Sequence, residues 1–185
     1  MFGRRQSTDL LRAGAYALVG DDKVIEIKDV PASSVGAPLP HVLAGEHELF
    51  LIYLAEDVPD DWDGSTARVV DPTSAEPVVV IRFSRFAAHF SRPPNDEAFG
   101  GHPLSNRGLE PYGCYEVTGS SWIDALERMN SVHPYHKKEH FADYRHFAFT
   151  FHDSIFECVA QSFSVHSFER RSVRDAIRSV VDLVQ

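Results

Sequence analysis

The feature that most constrains this chain is a pair of alternating runs, RHFAFTF (145–151) and IFECVAQSF (155–163), separated by the three residues HDS. Alternation with period two marks a strand with one buried face. A hairpin closed at Asp153 and Ser154, or over the four residues 152–155, sets Phe151 opposite Phe156, Phe149 opposite Cys158 and Phe147 opposite Ala160. Every pair on that face is apolar. The other face sets Thr150 opposite Glu157, Ala148 opposite Val159, His146 opposite Gln161 and His152 opposite Ile155, mixing polar and apolar groups. Asp and Ser favour turns because their side chains bond nearby amides, so His152, Asp153 and Ser154 read as turn chemistry. A catalytic triad draws its members from separate elements.

Other segments surround this hairpin with strands. KVIEIKD alternates, while ELFLIYLAE is apolar on both parities and suits a central strand covered on both faces. PVVVIRFSRFAAHF switches parity, with Val79, Ile81 and Phe83 on one face and Phe86, Ala88 and Phe90 on the other, which predicts a bulge or bend near Ser84 or Arg85. YGCYEV is a further strand. SSWIDALERMN predicts a helix with Ser121 as N-cap and a stripe of Trp122, Ile123, Leu126 and Met129. HPYHKKEHFADY predicts a second short helix, and SFERRSVRDAIRSVVDLVQ an amphipathic C-terminal one with Val173, Ile177, Val180 and Val184 on its apolar face. The expected fold is α+β: one mostly antiparallel sheet of about six to eight strands, with two or three helices mainly on one face.

Length and composition set the remaining bounds. At 185 residues, 43% apolar and 24% charged, the chain fits a single globular domain over 1–185. A formal charge of −9 argues against nucleic-acid backbones and anionic membranes as partners. Cys114 and Cys158 lie in apolar runs and read as reduced core residues. The N-terminal stretch does not read as a secretion signal, since Asp9 and Arg12 interrupt its apolar patch, and no run approaches the roughly 20 residues of a membrane span. The cytoplasm is the expected compartment.

Candidate chemistry centres on SRPPNDEAFGGHPLSNRGLEP, a long stretch without helical or strand period. The glycines before His102 allow close backbone approach, and Asn95, Asp96, Glu97, Asn106 and Arg107 bring acids, amides and a guanidinium to the same loop. If loop 91–111 closes over Thr150, His152 and Glu157, the hairpin's polar face becomes the floor of a small-ligand or peptide site. A second reading is metal-assisted hydrolysis, with His102 and His152 as ligands and Glu157 as base. His136 and His140, four residues apart, form a weaker metal pair if their segment is helical. A third reading is an acidic inhibitor or partner-binding protein that uses EDVPDDWDGS and its Trp62. No nucleophile elbow, phosphate loop, dinucleotide fingerprint or calcium loop is present.

The segments GGHPLSNRGLEPYGCYEV, SSWIDALERMN and RHFAFTFHDSIFECVA together resemble an uncharacterised bacterial protein family with HPL, YG and FHDSxFE segments. The resemblance covers about residues 78 to 161. It implies no activity, cofactor or site residue.

Overall fold

The computed structural model describes residues 17–57, 73 and 75–184. The expected contact loop around Trp62 and most of the N-terminal stretch lie outside them. The strands are β1 (Lys23–Glu26), β2 (His41–Ala44), β3 (Leu49–Leu54), β4 (Glu76–Ser84), β5 (Ala88–Arg92), β6 (Cys114–Thr118), β7 (Arg145–Thr150), β8 (Ile155–Ala160) and β9 (Ser162–Arg171). Among the described residues two α-helices accompany them, α1 (Ser121–Asn130) and α2 (Val173–Val181). The class is α+β, as expected. The strands divide, however, into two antiparallel sheets, ordered β1-β6-β7-β8-β5 and β2-β3-β4-β9.

The parity switch in PVVVIRFSRFAAHF is where one sheet passes into the other. β4 pairs with β9 and β5 pairs with β8, so two long strands form one ribbon folded over a corner. Arg85 takes a left-handed conformation (φ 50°) at the fold. The corner is held where Gln161 N–H donates to the Ser84 carbonyl (3.1 Å) and Ala87 N–H to that of Val159 (2.8 Å). A single strand with a bulge cannot be told from this arrangement by side-chain parity alone.

Phenylalanines dominate the interface between the sheets. The Phe83 ring lies 5.8 Å from Phe149 and 5.4 Å from Phe156, and Tyr53 meets Phe151 edge-on at 5.3 Å. β3 is buried on both faces: Leu49, Leu51 and Tyr53 join this core, while Phe50, Ile52 and Leu54 pack under α2. α2 is capped by Ser172, whose Oγ accepts the Asp175 N–H, and buries Val173, Ala176 and Val180. The expected helix therefore begins later, because Ser167 to Arg171 complete β9.

The first sheet's outer face is covered by α1 and by residues 93–113, which join Phe99, Leu104, Leu109 and Trp122 to Ala148, Ile155 and Val159. The two helices thus lie on opposite outer faces. The N-cap of α1 is Ser120, one residue earlier than expected, and Met129 is 73% exposed, outside the stripe. Residues 133–144 form turns and one short 3-10 helix, Lys138–Phe141. Among the described residues no helix is long and apolar enough to cross a membrane.

β7 and β8 form the expected hairpin with the expected faces but a different register. Phe149 pairs with Phe156, Phe147 with Cys158, Ala148 with Glu157 and Thr150 with Ile155. Phe151 N–H donates to the Ser154 carbonyl (2.9 Å), so the turn centres on His152 and Asp153. A two-residue slip leaves each side chain on its face, so parity could not detect it.

Candidate functional site

Two polar networks connect the loop to the hairpin. The first surrounds Glu157, fully buried on the outer face of β8. Its Oε1 lies 3.0 Å from His102 Nε2 and 3.4 Å from Arg92 Nη2, and its Oε2 lies 2.9 Å from His146 Nε2. Leu104 N–H donates to His102 Nδ1 (3.2 Å), which assigns the ring hydrogen to Nε2 and its bond to Glu157. Ser120 Oγ accepts the Ile123 N–H as helix cap and lies 2.9 Å from His146 Nδ1. Its own hydrogen is then free to donate to that nitrogen, so His146 also donates from Nε2 to the carboxylate. Burial alone would raise the Glu157 pKa, but the His102 and His146 hydrogen bonds outweigh it and hold it at about 2. His102, His146 and Glu157 are 0–3% exposed, so this network is a strut that fastens the loop and α1 to the sheet.

The second network sits at the hairpin turn. Tyr112 donates its hydroxyl to Asp96 Oδ2 (2.6 Å), and His152 Nδ1 lies 2.8 Å from that hydroxyl and 2.9 Å from the same carboxylate oxygen. These bonds, the Tyr112 one foremost, lower the Asp96 pKa, while burial followed by the Asp96 contact raises that of Tyr112. Tyr112 has φ 60°, a left-handed conformation that costs a bulky residue about 1–3 kcal/mol and clusters at binding sites. Gly113 follows for a steric reason: a Cβ there would stand 2.6 Å from the Tyr115 ring. Thr150 fixes this corner by accepting the Gly113 N–H (2.8 Å) and donating to the Glu110 carbonyl (2.8 Å).

The other expected site residues do local work. Asn95 Oδ1 accepts the Ala98 N–H (3.1 Å), Arg107 donates to the carbonyls of Gly20 and Asp22 (3.1 Å each), and Glu97 and Asn106 are exposed. Arg107 Nη1 is therefore engaged by backbone oxygen. His102 and His152 bond to different carboxylates, Glu157 and Asp96, and among the described residues no group of three His, Cys, Asp or Glu side chains is placed to hold a metal ion. His136 pairs with Glu127 (2.8 Å), and without an α-helix the argument for a shared face with His140 lapses.

The loop's own side chains fill the space over the hairpin's polar face, and a cleft opens beside it. This cleft, about 480 Å³, lies at the end of the sandwich where the chain after β1 crosses from one sheet to the other. Tyr53, Phe149 and Phe151 contribute from the inter-sheet core, Ile27 and Val30 from the crossing segment, and Tyr112 and Thr150 from the second network. Cys114 also borders it, its thiol pushed up to about 12 by burial. Ser33, Tyr53 and Cys114 at the cleft, and Arg92, Ser120 and Tyr112 in the networks, are not recognisable as site residues in the sequence. No spacing signal links positions so far apart. His146 carried one, since it shares the mixed hairpin face with Glu157.

Comparison with protein-family models, characterised proteins and solved structures yields no match for this chain.

Proposed function

We propose that this protein is a small-molecule binding module whose ligand occupies the cleft at the end of the sandwich. The observation that carries the reading is the cleft itself, a concavity of about 480 Å³ with aromatic walls and a few hydroxyl groups. That size and lining suit a ligand of ordinary metabolite dimensions. Loop 91–111 then acts as support rather than lid: Asp96 and the hairpin's His152 hold Tyr112 at the cleft wall. The left-handed Tyr112 backbone fits this role, because strain is kept where surrounding contacts fix a functional geometry.

Saturation-transfer NMR with a library of ring-containing fragments tests the proposal, using wild type and Ala32→Trp. Ala32 is exposed and borders the cleft, so the indole blocks the site without disturbing the core. Fragments that bind wild type and lose binding to Ala32→Trp are expected. Binding that Ala32→Trp leaves intact contradicts the proposal.

A further inference from the structure

The cleft contains one hydroxyl that nothing explains. Ser33 is 7% exposed, and its Oγ finds no hydrogen-bond partner among the described residues. Its backbone is fixed, because Ser33 bridges to Ala55 beyond the end of β3 and its neighbour Ser34 donates to the Leu54 carbonyl (2.9 Å). The same residue borders both the main cleft and a small void edged by Phe151 and His152. A hydroxyl this buried is ordinarily bonded, so Ser33 Oγ, at the edge of the cleft, is available to a partner from outside the chain.

The surroundings limit what that partner is. Tyr53 borders both spaces and donates its hydroxyl to the Pro31 carbonyl (2.7 Å), which leaves its oxygen able to accept. Burial pushes the Tyr53 and Cys114 pKa values up, so both groups stay neutral. The charged residues of the lining, Glu26 and Lys28, are exposed and stand 3.9 Å from each other. A charged group carried inward would lose its water without meeting a counter-charge. The Tyr53 and Phe151 rings, packed edge to face in the core, reach the cleft wall and give it an aromatic lining.

We propose that the cleft takes an uncharged, ring-bearing molecule that carries a hydroxyl or amide group, seated with that group on Ser33 Oγ and its body against Tyr53, Phe149 and Phe151. The inference rests on the reading of the cleft as the ligand site.

The test uses the full chain and three probes, 2-naphthol, 2-naphthoate and naphthalene, titrated by fluorescence and saturation-transfer NMR. Wild type should bind 2-naphthol about tenfold more tightly than 2-naphthoate. Ser33→Ala should weaken 2-naphthol by about 3- to 10-fold and leave naphthalene unchanged, as expected for one lost neutral hydrogen bond. Ser33→Ala removes an unbonded hydroxyl, so its thermal midpoint should match or exceed that of wild type; Ser33→Cys, with a weak donor, should fall between the two in affinity. Equal or tighter binding of 2-naphthoate, or no effect of Ser33→Ala on probes that Ala32→Trp displaces, overturns the ligand class and leaves the cleft standing. Absence of binding by all three probes, or binding unchanged in Ala32→Trp, overturns both.

Discussion

Replacing Glu157 by Gln isolates the strut that joins the loop to the sheet. The carboxylate has His102, His146 and Arg92 nitrogens at 3.0, 2.9 and 3.4 Å, and it is wholly buried. Its pKa of about 2, against an ordinary 4.5, corresponds to about 3 kcal/mol of stability at neutral pH, at about 1.4 kcal/mol per pH unit. Breaking a buried charged network by removing one partner costs about 3–5 kcal/mol by an independent route. In Glu157→Gln one carboxylate oxygen becomes an NH₂ that faces an imidazole N–H, so a loss of about 3 kcal/mol is expected at pH 7. For a chain of this length that is about 6–12 °C in Tm. Because the folded pKa is depressed, the stabilisation is complete above about 4.5 and disappears as pH falls towards about 2. Urea unfolding followed by far-ultraviolet circular dichroism, at pH 7 and pH 3, should show the gap between wild type and variant shrinking by about half in acid. A gap under about 1 kcal/mol at pH 7, or one that does not narrow, would mean that the Glu157 carboxylate does not hold the strut together.

Two further substitutions probe the core and the YG pair. Phe83→Ala empties the centre of the inter-sheet aromatic cluster and should cost about 3–5 kcal/mol, measured by chemical denaturation. Gly113→Ala drives a methyl group into the buried Tyr115 ring and should cost about 1–3 kcal/mol. Combined with Tyr115→Leu, its cost should be less than additive, since the smaller side chain removes the clash.

Periodicity made the faces of the sheets legible and little beyond them. The doubly apolar ELFLIYLAE gave β3 its central position, and the alternation of RHFAFTF and IFECVAQSF told which residues of β7 and β8 face the core. Register stayed hidden because a slip of two keeps every face, and the folded ribbon at Arg85 stayed hidden because a change of sheet and a bulge produce the same switch of parity. Within the sites, His102, His152, Asp96 and Glu157 carried signals as polar residues on a long loop or a mixed face. Their partners Arg92, Ser120 and Tyr112 did not, because their roles arise only when separate elements meet. The cleft was the least legible part, being formed by positions near 33, 53, 112 and 150 that only the tertiary fold brings together.

The most direct test of the central claim is to map bound fragments on the protein by amide chemical-shift changes, using a mixed library of charged and uncharged ring compounds. Shifts should concentrate at Ser33, Tyr53, Gly113 and Thr150, around the cleft. Shifts confined to other surfaces, such as the exposed Val132 and Tyr135 after α1, would contradict that claim.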